Sequence, residues 1–98
     1  FNALERLQRR GMLAEHPVRH PNLPIRGVID LVVRSPDGTK IVDFKTGALK
    51  PEYRNQLELY ATRWFRETDD LPMALEMSHT EGMERFHFDR TGVERVDG

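Results

Sequence analysis

The chain has 98 residues, a formal net charge of −1, 38% hydrophobic residues and 32% charged residues. This length and balance predict one small globular domain spanning residues 1–98, and they exclude a disordered or fibrous chain. The near-neutral charge excludes nucleic-acid binding through overall charge, so phosphate binding must come from local basic groups or a metal. The sequence lacks Cys, which excludes disulfides and thiolate metal sites and fits the reducing cytoplasm where we expect the protein. No apolar run is long enough to span a membrane, so we expect no membrane partner.

The N-terminal part predicts a helix end followed by an edge strand. Residues 1–13 read as the end of a helix, with Gly11 as a C-terminal stop. Because the chain begins inside this helix, we expect it to be a piece of a longer protein. Residues 14–20 favour a short edge strand, where a proline is tolerated, and residues 22–24 favour a turn.

Two strands joined by a turn follow, and each contains one aspartate among aliphatic neighbours. Residues 25–33 alternate between two mostly apolar faces, which predicts an interior strand covered on both sides. Residues 35–38, with the sequence SPDG, are typical of a type I turn, and residues 40–46 form the returning strand. The two aspartates are Asp30 and Asp43.

The turn determines which residues of the two strands face each other. A four-residue loop pairs Arg34 with Thr39, and the same register places Asp30 opposite Asp43. Lys45 lies two residues beyond Asp43 and therefore points to the same face. Because like charges directly opposite destabilise a sheet, we expect a divalent cation between the carboxylates. A three-residue loop with a bulged glycine would shift the register by one and remove this pairing.

The C-terminal half predicts a helix and a final hairpin. Residues 51–67 form the helix, with Pro51 in its first turn and an apolar stripe of Leu57, Tyr60, Ala61 and Trp64. Gln56 and Tyr60 are four residues apart and lie on neighbouring turns of one face. After a break at 69–72, residues 73–79 and 83–88 pair as strands, and residues 90–98 are expected to be a frayed tail.

The chemistry centres on Asp30, Asp43 and Lys45. Two carboxylates and the backbone carbonyl of Phe44 make a hard oxygen site that suits Mg²⁺ or Mn²⁺. Such a metal generates hydroxide from bound water, and an adjacent lysine positions or deprotonates that water or stabilises the developing charge. The alternative is a surface salt bridge between Lys45 and an aspartate, since a D-x-K triplet is common by chance.

Three short motifs occur in order along the chain: G-x-x-D at 27–30, D-x-K-T-G at 43–47 and Q-x-x-x-Y at 56–60. This set resembles the PD-(D/E)XK nuclease superfamily, and it looks most like the branch with the RecB nuclease domain and the CRISPR adaptation nucleases. The resemblance implies an α/β fold, a mixed α+β sheet flanked by helices with a restriction-endonuclease-like core, here truncated at the N-terminal helix. It also implies metal-dependent cleavage of DNA phosphodiester bonds.

The same resemblance implies roles for particular residues. The metal ligands would be Asp30, Asp43 and the Phe44 carbonyl. The catalytic set would be Asp30, Asp43, Lys45, Gln56 and Tyr60, the last two supporting the active site and the nucleic acid. Family members carry a further histidine or acid on an upstream helix; Glu15 is a better match than His16 or His20. Branches with an iron–sulfur cluster need cysteines, so that cluster is excluded for this chain.

We therefore expect a nuclease module, an exonuclease of a DNA repair, recombination or helicase-associated protein. Its substrate would be single-stranded DNA or DNA ends, and a helicase would be covalently linked or associated with it. The alternative is a catalytically inactive nuclease-fold module that binds single-stranded DNA or a partner protein. Because the N-terminal helix is truncated, the isolated chain is expected to be weak or inactive.

Overall fold

The computed structural model describes residues 11–19, 22 and 26–98. The described chain has five strands and two helices, with the following bounds: β1 (Met12–Arg19), β2 (Arg26–Ser35), β3 (Gly38–Phe44), α1 (Pro51–Thr68), β4 (Ala74–His79), β5 (Gly82–His87) and α2 (Arg90–Asp97). Neither of these helices has both the length and the apolar character that crossing a bilayer requires.

The strands form one mixed sheet in the order β1-β2-β3-β4-β5. All neighbours are antiparallel except β3 and β4, which run parallel. A parallel pair needs a crossover connection, and α1 provides it between β3 and β4. The predicted fold class, a mixed α+β sheet with helices and a restriction-endonuclease-like core, is confirmed.

The predicted register of the β2–β3 hairpin is confirmed. Arg34 lies opposite Thr39, and the ladder continues to the pair Leu31 and Val42. The turn is tighter than the predicted four-residue loop, because Ser35 and Gly38 already pair and only two residues lie between them. The Ser35 hydroxyl closes this turn by donating to the Gly38 carbonyl at 3.0 Å. Shortening the loop by one residue on each side leaves the register unchanged.

Helix α1 lies where the sequence predicts it and covers the sheet with its apolar stripe. It begins at Pro51, after an extended Lys50, and it ends where Asp69 adopts the left-handed conformation. The predicted stripe is buried in the core, and its members are Leu57, Tyr60, Ala61 and Trp64. The sheet contributes Val32, Ile41 and Leu75 to the same core cluster. Burying side chains of this size contributes about 1.5–3 kcal/mol each.

The N-terminal prediction is partly wrong. Residues 1–10 of the predicted helix lie outside the described residues, as does His20. Met12 and Leu13 belong to β1 and not to a helix, because each pairs with β2, Met12 opposite Val33. The predicted edge strand is confirmed and begins two residues earlier than expected. The Gly11 carbonyl also accepts from a β2 amide, that of Arg34, at 2.7 Å.

Strand β2 is an interior strand, but the prediction that both its faces are covered is wrong. Val28 is 46% exposed, whereas Ile29 and Val32 are both in the core. Strict alternation would place Ile29 and Val32, which are three residues apart, on opposite faces of the sheet. Both belong to the same core cluster, so the alternation does not hold along the whole strand. In β1 the alternation is interrupted at Glu15, which has a φ of 53° and occupies the register position opposite Asp30.

The C-terminal tail is a helix, so the prediction of a frayed tail is wrong. The Asp89 side chain caps α2 by accepting from the Thr91 amide at 2.9 Å. Val93 is 3% exposed and packs into the core. The Arg95 guanidinium donates to the Glu58 carboxylate of α1 at 2.9 Å, which ties the two helices together.

Candidate active site

The two aspartates meet where the β2–β3 ladder ends. The last ladder pair is Leu31 and Val42, so the next opposed positions are those of Asp30 and Asp43. The Phe44 amide donates to Asp30 Oδ2 at 2.9 Å, which fixes that carboxylate against β3. The side chain of Asp43 is only 10% exposed. The structure therefore places a buried carboxylate directly beside a second one.

This arrangement changes the acidity of Asp43. Burial and the hydrogen-bonding contact with Asp30 raise the pKa of Asp43, while Lys45 acts in the opposite direction. The negative charge of Asp30 adds to the increase. A carboxylate with a raised pKa is one that a nearby positive charge or a proton would stabilise.

Lys45 connects the acid pair to α1. Its ammonium nitrogen lies 2.8 Å from Asp43 Oδ2 and 3.3 Å from Gln56 Oε1. The same nitrogen lies over the Tyr53 ring, 4.3 Å from the ring centroid. The Lys45 amide donates to the Ser78 carbonyl at 2.8 Å, which anchors the residue to the end of β4. The Lys45 side chain is 19% exposed and that of Asp43 is 10% exposed, so their salt bridge is partly buried.

The charge of Lys45 is also affected by this environment. Burial alone would lower the pKa of Lys45, but the hydrogen bond and the charge of Asp43 outweigh burial and raise it. The ammonium group therefore keeps its proton at neutral pH. In these contacts Lys45 is a hydrogen-bond donor and a positive charge beside Asp43.

Tyr60 completes the group of predicted residues. It is 9% exposed and its ring packs directly on the backbone of Gly27. Burial, and after it the charge of Asp43, raises the pKa of the Tyr60 phenol. The hydroxyl therefore stays protonated at neutral pH. The structure thus brings together five residues that the sequence singled out, namely Asp30, Asp43, Lys45, Gln56 and Tyr60.

The upstream candidates are arranged differently. His16 lies 3.4 Å from a Glu67 carboxylate oxygen and contacts the edge of the Trp64 ring, near the far end of α1. Glu15, the better match of the three for the upstream residue, is exposed and holds the register position opposite Asp30. In residues 11–19, 22 and 26–98, no group of three His, Asp or Glu side chains forms a metal site.

Two contacts of the site were not expected from the sequence. The Ser78 carbonyl reaches Lys45 because β3 and β4 are parallel, and sequence patterns gave no signal for that pairing. The contact between Gly27 and Tyr60 could have been anticipated from the sequence, since Gly27 belongs to the G-x-x-D motif and Tyr60 to the Q-x-x-x-Y motif. A cavity of about 480 Å³ lies between residues 47–49 and the β4–β5 turn, and none of the five site residues lines it.

The donor atoms fit a hard divalent cation. Asp30 and Asp43 present carboxylate oxygens side by side, and burial first, then the contact with Asp30, raises the pKa of Asp43. Mg²⁺ binds through one or two carboxylates and keeps several waters, so it does not require a complete protein cage. The Phe44 carbonyl as a third donor stays a prediction.

The comparisons with known proteins agree with this geometry. The sequence model of the PD-(D/E)XK nuclease superfamily matches residues 2–94 of the chain. A search of curated protein sequences gave no match. The family match covers both strands of the acid pair, the lysine that follows it and the whole of α1.

Proposed function

Because the chain belongs to the PD-(D/E)XK nuclease superfamily, whose members are generally nucleases that use divalent metal ions, we propose that it is a Mg²⁺-dependent deoxyribonuclease. One observation carries the proposal. Asp43 lies beside Asp30 and is paired at 2.8 Å with the ammonium of Lys45, in a setting where all three are held by backbone or side-chain contacts.

We further propose that residues 1–98 are a single domain of the RecB-like branch. In this proposal it acts in the cytoplasm as an exonuclease on single-stranded DNA or DNA ends, within a DNA repair or recombination protein that has a linked or associated helicase. The Q-x-x-x-Y motif supports the branch, since Gln56 contacts Lys45 and Tyr60 lies within reach of the charges of the acid pair.

Asp30, Asp43 and the Phe44 carbonyl would hold Mg²⁺ or Mn²⁺. When bound, such a cation lowers the pKa of water and neutralises negative charge on phosphate oxygens. The protein holds Asp30 in place through the Phe44 amide, so one carboxylate is oriented before any ligand arrives. Such preorganisation is what a site needs to act on a charged transition state.

Lys45 would donate a hydrogen bond to the phosphate oxygens on which charge develops. Its raised pKa keeps the proton available at neutral pH. Gln56 and the Tyr53 ring hold the ammonium from the α1 side, while Asp43 holds it from the sheet.

The test is cleavage of a labelled single-stranded DNA in Mg²⁺ by the full-length protein in which this domain is proposed to act, and by its variants that change one charge. Lys45→Ala and Asp43→Ala should each lower the cleavage rate by at least about 100-fold, because each removes a group that faces the developing charge. Lys40→Ala is the matched control, since Lys40 also lies on β3 and forms an ion pair, with Glu76 at 3.1 Å. It should cleave like the unmodified protein.

Circular dichroism should show that all three variants stay folded. Cleavage by Lys45→Ala and Asp43→Ala at the unmodified rate would overturn the assignment. If the unmodified full-length protein binds DNA without cutting it in Mg²⁺ or Mn²⁺, the domain is instead the inactive nuclease-fold module that binds single-stranded DNA.

A further inference from the structure

Gly27 lies in β2, three residues before Asp30, and its backbone does not explain why it is glycine. Its φ lies outside the left-handed region that only glycine adopts easily. Glycine inside a strand is less favourable than alanine, because it loses more conformational freedom on folding. A glycine here therefore indicates that another group approaches the backbone closely.

The approaching group is the ring of Tyr60. A Cβ added at Gly27 would lie 2.5 Å from Cε1 and 2.6 Å from Cζ of that ring, and closer still to its hydroxyl oxygen. These are the atoms at the hydroxyl end of the ring. Any side chain at position 27 would therefore displace the Tyr60 hydroxyl and not merely the base of the ring.

The Tyr60 hydroxyl lies in the field of the acid pair and is available to a ligand. The charges of Asp43, Lys45 and Asp30 all act on the phenol. Within the described part of the chain, the hydroxyl makes no hydrogen bond. The ring is mostly buried, but its hydroxyl oxygen is not among the fully buried unpartnered atoms, so it can reach solvent or a ligand.

We propose that Gly27 is a positioning residue: by having no side chain, it lets the Tyr60 ring lie on β2 with its hydroxyl aimed at the substrate phosphate beside Asp43 and Lys45. The inference rests on the proposed nuclease function. Tyr60 donates its hydroxyl proton in a hydrogen bond to a phosphate oxygen, and no covalent bond of the tyrosine is made or broken. Burial and the nearby carboxylates keep the phenol protonated for this purpose.

The cleavage arm compares Gly27→Ala with Gly92→Ala. Gly92 is a matched control, because a Cβ there would lie 2.5 Å from Cε1 of the Phe88 ring, a similar clash in α2. Gly27→Ala should lower kcat at least about tenfold with KM for single-stranded DNA nearly unchanged. Gly92→Ala should leave both constants unchanged, whatever its effect on the thermal midpoint.

Tyr60→Phe gives a second arm that keeps the ring against Gly27. It should fold normally and lose kcat to the same extent as Gly27→Ala. If Gly27 acts through the Tyr60 hydroxyl, the double variant should be no worse than either single variant. Independent losses that multiply would show that Gly27 acts in some other way and would overturn the proposal.

A third arm does not depend on cleavage. With 3-fluorotyrosine incorporated at the two tyrosines, the ¹⁹F resonance of position 60 should shift when Asp43 is changed to Asn. In the Gly27→Ala background that shift should shrink at least about twofold, because the phenol has moved away; in the Gly92→Ala background it should not.

These arms separate two kinds of failure. If the full-length protein does not cleave DNA but the fluorine response depends on Gly27, the nuclease function fails and the positioning of Tyr60 stands. If the full-length protein cleaves DNA and Tyr60→Phe has the unmodified kcat, the nuclease stands and the proposal for Gly27 is overturned. The Tyr60→Phe result decides the proposal even if Gly27→Ala does not fold.

Discussion

Asp30 and Asp43 form a pair that destabilises the fold in the absence of a cation. Burial is the largest cause of the raised pKa of Asp43, and the contact with the opposed carboxylate of Asp30 adds to it. Lys45 compensates only in part, since the pKa of Asp43 remains raised. A stability cost of this kind is typical of residues whose placement serves a function.

We therefore predict that Asp30→Asn stabilises the metal-free protein by about 0.5 kcal/mol at pH 7. Asparagine keeps an oxygen that can accept from the Phe44 amide, so the change removes mainly the repulsion. Because folding raises the pKa of Asp43, the folded protein binds its proton more tightly than the unfolded chain does. The loss of stability from ionising Asp43 is therefore complete at a pH above its raised pKa. It disappears as the pH falls toward the ordinary value of 3.8.

Urea denaturation in EDTA at several pH values measures this difference. The advantage of Asp30→Asn over the unmodified chain should be largest at pH 7 and should vanish near pH 4. Asp37→Asn, in the exposed β2–β3 turn, is the control and should show neither effect. A less stable Asp30→Asn at pH 7 would show that the pair is already satisfied without a cation.

At the scale of elements, patterns that are local in sequence were predictable and contacts that are distant in sequence were not. The β2–β3 register followed from the turn after Arg34, and α1 followed from Pro51 and its apolar stripe. Helix α2 was missed because its pattern is weak. Its eight residues include a glycine, and their only apolar side chains are two valines. Its stability comes from contacts such as Arg95 with Glu58, which the sequence order does not reveal.

Helix α2 should therefore depend on packing against α1. Val93→Ala is predicted to lower the free energy of unfolding by about 2 kcal/mol, since Val93 is almost fully buried in the core. Val96→Ala, in the same helix at a partly exposed position, is the matched control and should cost clearly less. Urea midpoints of the two variants at equal m-values give the comparison. Equal losses would mean that α2 is not held by its buried face.

At the scale of the whole molecule, the site is assembled from four elements. Strand β2 supplies Asp30, β3 supplies Asp43, α1 supplies Gln56 and Tyr60, and the end of β4 holds Lys45 through its backbone. The sequence predicted that the side chains converge, because their order and spacing match one family. It could not predict the support from β4, which depends on a parallel pairing across the α1 crossover.

The central claim is that Asp30 and Asp43 form a divalent-metal site in a nuclease. A Mn²⁺ titration followed by the amide signals of the chain tests it most directly, because Mn²⁺ broadens the signals of nuclei close to it. The account predicts broadening centred on Asp30, Asp43 and Phe44 at low Mn²⁺ concentration, and its loss in Asp43→Asn. Broadening elsewhere, or none at these three amides, would contradict it.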